Sequence, residues 1–398
     1  MRNKLDNAKK LAIITFFSNF YFYNHIGTLY QQTRGLNLLQ VSSIWSIIVG
    51  TIFLAEVPTG VIADKIGRKW SVVIALFLQA LGEYLYFFAK DYVTFVFIAI
   101  LAGIGYAFLS GANEALVYDS LPEEGRETNM KKSMGLIGSA YQLAFFAAPI
   151  FGGLIVSQLV LEKFLTAIFL TAISVTIALL ISLTLKEPQD AYQHSGESPF
   201  TIFREGLIEI KNSKRLQWLI AIAVLTSTFS NALISLYQPY FADASVPTFW
   251  IGASLSLGGL LAFILQRYAY RIEQKLGKLG FLIISVWPGI MYILLAIVSL
   301  PALLVPIFIL AYASMELRNP LLSSYKNEQV RSKNRATVLS LFNMFAMLYV
   351  ALMGLVFGKI ADTSIPIAFT CIGALIVLFA MILRTDKVAI QGEQSGTG

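Results

Sequence analysis

Five charged side chains stand inside long apolar runs: Glu56, Glu83, Glu114, Glu316 and Arg318. A histidine, His25, joins them. An ionised group at the centre of a bilayer costs about 2.5–3.5 kcal/mol on insertion scales, so each is a functional candidate. Four carboxylates face one guanidinium. They cannot all be paired as ions, and some are expected to bind protons. Glu316 and Arg318 are two residues apart, about 200° round a helix, and do not face each other. Glu316 shares a face with Asn319 ahead of Pro320. Arg318 must therefore find an acid on another helix, for which Glu114 is the candidate, or backbone carbonyls, or water. His25, with Tyr21 and Ser18 on one face and Asn24 beside it, is a candidate proton relay. Ser227, Asn231, Ser235 and Gln238 recur at helical spacing and make a polar stripe expected to line a cavity.

The elements that must hold these groups are set by composition. The 398 residues are 57% hydrophobic and 13% charged, with a mean hydropathy of +0.69. Soluble domains carry about 25% charged residues. The net charge of +7 raises the question of nucleic acid. The charges fall in short segments between apolar runs, with no basic face or aromatic–basic interleaving, so no nucleic-acid partner is expected. The single cysteine, Cys371, lies within an apolar run and excludes a disulfide framework or a Cys/His metal cluster. No phosphate loop and no Ser/His/Asp spacing is present, so neither an ATP-driven pump nor an enzyme is expected, and no cofactor. The basic N-terminus leads into an apolar run longer than a signal-peptide core, which predicts a retained first helix.

A bilayer core needs about 20 apolar residues per helix. Twelve runs qualify, near 10–31, 40–62, 70–89, 93–117, 133–157, 163–185, 216–240, 248–269, 279–298, 302–324, 336–358 and 364–384. Of the 30 Lys and Arg residues, 25 fall in segments on the side of the N-terminus. Four fall opposite (Arg34, Lys90, Lys163, Lys359), and Arg318 lies within a span. The positive-inside rule then places both termini in the cytoplasm of a multi-pass protein of the cell inner (plasma) membrane. Lys65-Ile66-Gly67-Arg68 recurs 210 positions later as Lys275-Leu276-Gly277-Lys278, and Arg126 recurs as Arg335 after 209. These matches predict duplicated six-helix halves. The expectation is an all-α integral membrane protein of 12 transmembrane helices in two pseudo-symmetric bundles. The domains are residues 1–185, a cytoplasmic linker 186–214 with a short amphipathic helix at the membrane surface, and residues 215–398.

Between the second and third spans runs Gly60-Val61-Ile62-Ala63-Asp64-Lys65-Ile66-Gly67-Arg68-Lys69, read as a tight charged turn whose two glycines permit close approach and reversal. This G-x-x-x-D-[RK]-x-G-[RK]-[RK] pattern resembles the signature of the major facilitator superfamily. The resemblance covers essentially the whole chain. It implies that Asp64 docks on the N-terminal end of span eleven in one conformation, and that Arg68 pairs with an acid at the foot of span four, here Asp119. It makes spans one, four, seven and ten the cavity walls and span three, with Glu83, peripheral. Ala148-Pro149-Ile150-Phe151-Gly152-Gly153 is similar to the end of the antiporter motif, with Ala148 in place of a glycine. The arginine that many proton-coupled exporters carry in span four is absent, Ala99 standing there, so Glu114 or Glu316 would have to carry the proton.

The first expectation is a proton-coupled secondary exporter of small amphipathic or lipophilic compounds, working as a monomer in the lipid bilayer. Import of a metabolite by symport or facilitation, lipid flipping on the same fold, and a non-transporting membrane protein are the alternatives.

Overall fold

The computed structural model describes residues 6–121, 124–188, 199–329 and 335–386. Apolar runs in a solvent that offers no hydrogen bonds must satisfy their own backbone, and a helix does so within one segment. The first half contains α1 (Asp6–Ser18), α2 (Gly27–Thr33), α3 (Leu38–Ile66), α4 (Arg68–Phe88), α5 (Tyr92–Leu109), α6 (Ala112–Ser120), α7 (Arg126–Ile155) and α8 (Leu161–Ser182). After the linker helix α9 (Pro199–Asn212) come α10 (Lys214–Leu225), α11 (Ser230–Asp243), α12 (Thr248–Arg267), α13 (Ala269–Leu276), α14 (Gly280–Ile297), α15 (Pro301–Gln329), α16 (Arg335–Thr363) and α17 (Ile365–Ile382).

Among the described residues, eleven helical stretches are long and apolar enough to cross a membrane. The remaining span is the first, which is broken: α1 ends at Ser18, a run of turns covers Asn19 to Ile26, and α2 completes the crossing. The fold is the expected all-α arrangement of twelve spans in two six-helix halves. The signature decapeptide is less of a turn than expected. α3 continues through Ile66 and α4 starts at Arg68, so the reversal is Gly67 alone, at φ +95°. Gly60 lies within α3, and a methyl group added there would meet nothing within 4 Å.

The chain forms two compact units. One comprises Met1–Leu36 with Ile47–Ser195, the other Asn37–Ser46 with Gly196–Gly398. The opening turns of α3 thus group with the second unit. The linker helix is not a free surface element either. Its Leu207 and Ile210 pack into the second unit's core beside Leu216 and Leu219, because an apolar stripe gains more from a packed neighbour than from a lone surface.

The duplication is visible in bonding as well as in order. In the first unit the Tyr30 hydroxyl donates to the carbonyls of Tyr86 (2.9 Å) and Ala89 (3.3 Å). In the second, Tyr240, 210 positions on, donates to those of Leu295 (2.8 Å) and Val298 (3.0 Å). Each ties the end of its half's first span to the frayed end of the third. Gly67 and Gly277 share positive φ at the matching reversal.

Candidate functional site

Irregular backbone at membrane depth must be buried in protein or line a cavity, and its freed polar groups need partners. The break in span one finds them on spans three and six. Gln79 of α4 donates to the Ser18 carbonyl (2.8 Å) and to the Tyr21 hydroxyl (2.7 Å). Ser174 of α8 donates to the Phe17 carbonyl (2.7 Å), and the Phe22 amide donates to Thr171 Oγ1 (3.1 Å). On the other side lies Gly152 of α7, where a Cβ would overlap the Phe22 carbonyl oxygen and sit 2.5 Å from His25 Cε1. The glycine of the antiporter-like motif is therefore the surface on which the break rests.

One turn beyond Gln79, on the same face of α4, is Glu83. It is 7% exposed, and the Tyr23 hydroxyl donates to its Oε2 at 2.9 Å. Tyr23 stacks on Tyr86 with centroids 5.1 Å apart and meets Tyr21 edge-on at 5.6 Å. Tyr21 and Tyr106 both lie within electrostatic reach of the carboxylate. Beside it opens a small pocket whose walls include Tyr21, Gln79, Glu83, Ala102, Gly105 and Tyr106. Among the described residues only tyrosines act on Glu83, and no basic side chain does. An uncompensated carboxylate out of water is costly. This site suits a proton or an organic cation, with tyrosine faces available for cation–π contact.

The resemblance makes Glu83 peripheral, and the structure buries it instead. The reason is the break: by turning at Asn19 the first span lays Tyr21 and Tyr23 against α4. The sequence signals are Gln79 and Glu83 at i, i+4, and the tyrosine pair two residues apart in span one.

The other expected residues are scattered. His25 is fully buried beside Gly152, and neither ring nitrogen has a hydrogen-bond partner among the described residues. Asn24 is half-buried in the break. Glu114 is exposed in the first turn of α6, just past the left-handed Gly111 that interrupts span four. Glu316 is half-buried and accepts from Asn319 (2.9 Å), as the shared face predicts. The stripe of span seven is cut by a second break, between α10 and α11. Ser227 in the break is buried and bonds the Ala223 carbonyl (3.0 Å), Asn231 is exposed, and Gln238 is buried with its amide on the Ile234 carbonyl (2.9 Å).

Arg318 holds that second break. It is 3% exposed and donates to the carbonyls of Thr226 (2.8 Å) and Ile222 (3.1 Å) and to Thr226 Oγ1. Of the partners open to it in the sequence, it takes backbone carbonyls. At the reversal, Asp119 is half-buried with Arg68 and Arg126 in electrostatic reach, while Lys69 stands over the Trp70 ring at 5.4 Å. Asp64 occupies the last turn of α3, and its side chain lies outside the described residues. Sequence reading missed Glu187, whose carboxylate accepts from the Arg68 amide (2.7 Å) and the Lys69 amide (2.9 Å) and so caps α4. A Cβ on Gly67 would lie 2.6 Å from Glu187 Cδ. Nothing in the local pattern around Lys186 and Pro188 announces that role.

Two six-span halves, each with a broken first span, describe a duplicated membrane carrier. A family model for the Major Facilitator Superfamily matches residues 11–352, and the chain belongs to that superfamily; it is a multi-pass membrane transporter. Among relatives, it is 22% identical to the uncharacterized MFS-type transporter YxaM of Bacillus subtilis, over 91% of each chain. It is 23% identical to Multidrug resistance protein 2 of the same organism, over 95% of each. Among solved structures, a mutant form of the nucleoside transporter NupG superposes with a TM-score of 0.78 at 17% identity, covering 96% of this chain and 99% of that one. A bacterial homolog of the human lysosomal transporter Spinster superposes with a TM-score of 0.76 at 13% identity, covering 98% of each.

Proposed function

We propose that this transporter is a proton-coupled exporter of small amphipathic or lipophilic compounds, working by alternating access as a monomer, with both termini in the cytoplasm of a bacterial inner membrane. The observation that carries the reading is Glu83: a buried carboxylate with a tyrosine donor, a pocket beside it and no basic neighbour among the described residues. Such a group binds a proton or a cationic substrate in turn, which is the exchange an antiporter needs. Glu316 and Glu114 are placed second and third, because the one has Asn319 on it and the other is exposed. His25 follows them as a relay. Asp64, Arg68 and Asp119 are assigned the conformational switch, with Gly67 giving the reversal. Export is favoured by the antiporter-like Pro149–Gly153 stretch under the span-one break and by the likeness to Multidrug resistance protein 2. The nucleoside and Spinster-like structures share the fold at under 25% identity and leave the substrate open.

The test is transport in proteoliposomes carrying a pH gradient, with a lipophilic cation as probe. Export by antiport requires proton movement opposite to the probe, and Glu83→Gln should abolish uphill movement while downhill exchange persists. Protons moving with the probe would mean symport and overturn the reading.

A further inference from the structure

Asp362, in the last turn of α16, accepts from the amide of Leu38 (2.6 Å) and, at longer range, from that of Leu39 (3.4 Å). These are the first two amides of α3. The first amides of a helix have no partner within it and carry partial positive charge. The next one is satisfied locally: the Gln40 amide donates to Asn37 Oδ1 (2.8 Å), and the Asn37 amide donates back to Gln40 Oε1 (3.1 Å). That reciprocal box lets α3 start at Leu38 without help. It leaves two amides over, and Asp362 takes both. The end of α3 is therefore stable alone and still has a charged contact to lose.

Behind Asp362 the seam is built for close approach. Ala351, Gly354, Gly358 and Asp362 follow helical spacing on α16, against Leu38, Ser42 and Ser46 of α3. A Cβ on Gly358 would lie 2.6 Å from Ser42 Oγ and 2.9 Å from the Leu38 carbonyl oxygen, and Ser46 Oγ donates to the Ala351 carbonyl (2.7 Å). The grouping of the chain changes here: Asn37–Ser46 belongs with the second unit, and from Ile47 onward α3 belongs with the first.

The sequence supplies a second, independent link. Gly358-Lys359-Ile360-Ala361-Asp362 at the C-terminal end of α16 repeats the Gly-x-Ile-Ala-Asp of Gly60-Val61-Ile62-Ala63-Asp64 at the C-terminal end of α3. The two lie at opposite ends of the membrane crossing, since α3 begins and α16 finishes on the face away from the N-terminus. The superfamily resemblance assigns Asp64 to the N-terminal end of span eleven. Asp362 makes the reciprocal contact, on the N-terminal end of span two.

We propose that Asp362 is the latch of the face opposite the termini: it holds the first turns of α3 in the conformation described here and releases them in the other, while Asp64 acts in the opposite sense. This rests on alternating access, and on neither the substrate nor the coupling ion. The experiment uses the full chain in nanodiscs with Cys371→Ser and Ser46→Cys, read by the labelling rate of Cys at position 46 with a water-soluble maleimide. Loss of the latch shifts the population toward the released form. Asp362→Ala should raise labelling about tenfold, equivalent to about 1.4 kcal/mol. Asp362→Asn, which keeps one acceptor without the charge, should fall between it and wild type and serves if the alanine variant folds poorly. Asp64→Asn should lower labelling below wild type. Unchanged labelling in folded Asp362 variants, or a shift of the Asp64 and Asp362 variants in the same direction, would overturn the latch. Because labelling needs no substrate or gradient, it stands or falls apart from the export reading.

Discussion

The two broken spans occupy matching places in the duplicated halves and are finished with opposite chemistry. At the break between α1 and α2 the freed carbonyls go to neutral donors, Gln79 and Ser174, and a carboxylate, Glu83, is left over beside a pocket. At the break between α10 and α11 the residue matching Glu83, 209 positions on, is Tyr292. Its hydroxyl donates to the carbonyls of Phe229 (2.8 Å) and Thr228 (3.2 Å). Arg318 takes two more carbonyls. One break is therefore closed by a cation whose two terminal nitrogens both donate to backbone carbonyls. The other keeps an acid with spare acceptor capacity. Duplication supplied two irregular sites; one became a clamp, and the other is free to bind something that comes and goes.

If Arg318 is a clamp, its loss should give the largest effect. Arg318→Ala takes away the Arg318 donor of the buried Thr226 carbonyl, a loss of about 1–3 kcal/mol, and removes the guanidinium from the Ile222 carbonyl, which keeps the Thr226 amide and hydroxyl. Thermal unfolding in detergent should drop accordingly and the yield of monodisperse protein should fall. Arg318→Lys keeps the charge but loses the planar fork and should fall between. A stable, inactive alanine variant would make Arg318 a switch after all and dissolve the contrast between the halves.

Next in size is the change at Glu83, and here the readout is function without stability. Glu83→Gln preserves an acceptor for the Tyr23 hydroxyl, so melting should be close to wild type while pH-driven accumulation falls at least about tenfold, a loss near 1.4 kcal/mol. Tyr23→Phe removes the donor and should shift the pH dependence of transport with a few-fold loss of rate. A Gln variant that still pumps uphill moves the coupling to Glu316 or Glu114.

Much of this arrangement was legible beforehand, and the part that was not has one physical origin. Span count, halves, the Gly67 reversal and the Glu316–Asn319 pair follow from hydropathy and helical spacing, which are local. The breaks are not local. Neither Asn19–Ile26 nor Thr226–Phe229 contains a proline; what stabilises them are Gln79, Ser174, Thr171 and Arg318, dozens to more than a hundred residues away. Assuming an unbroken first span put Tyr21 and His25 on one face, and the resemblance left Glu83 on a peripheral span. The Glu187 cap was hidden for the same reason, as was the Asp362 contact, which joins residues more than three hundred positions apart.

The clamp at Tyr292 sharpens the comparison on a smaller scale. Tyr292→Phe deletes the hydroxyl that donates to the Thr228 carbonyl and to the Phe229 carbonyl, the latter keeping the Leu233 amide, and should lower stability by about 1 kcal/mol, with transport rate little changed at temperatures below melting. Glu83→Tyr asks the converse, whether the first break tolerates the second's chemistry. Folded protein without proton coupling is the expected result, and coupling that survives would break the assignment of the two halves.

The smallest effect is expected where the halves differ at a helix start. Asp91 caps α5, its carboxylate accepting from the Thr94 amide (3.0 Å) and the Thr94 hydroxyl (3.1 Å). The corresponding start of α15 is Leu300 followed by Pro301, whose ring is pre-set for the first helical position and has no amide to satisfy. The hydrogen bonds from Thr94 hold the Asp91 carboxyl below its ordinary value of 3.8. A carboxylate whose pKa is lower folded than unfolded stabilises the folded state fully above the unfolded value. That contribution fades as the pH falls through the lower folded one. Asp91→Ala should therefore melt slightly below wild type at neutral pH, with the gap closing as the buffer is taken below pH 3.8. Pro301→Ala, at a start with no titrating cap, should show a gap independent of pH over the same range. A pH-independent gap for Asp91→Ala would mean that the carboxylate contributes through packing rather than charge, and the two halves would then start this span by the same means.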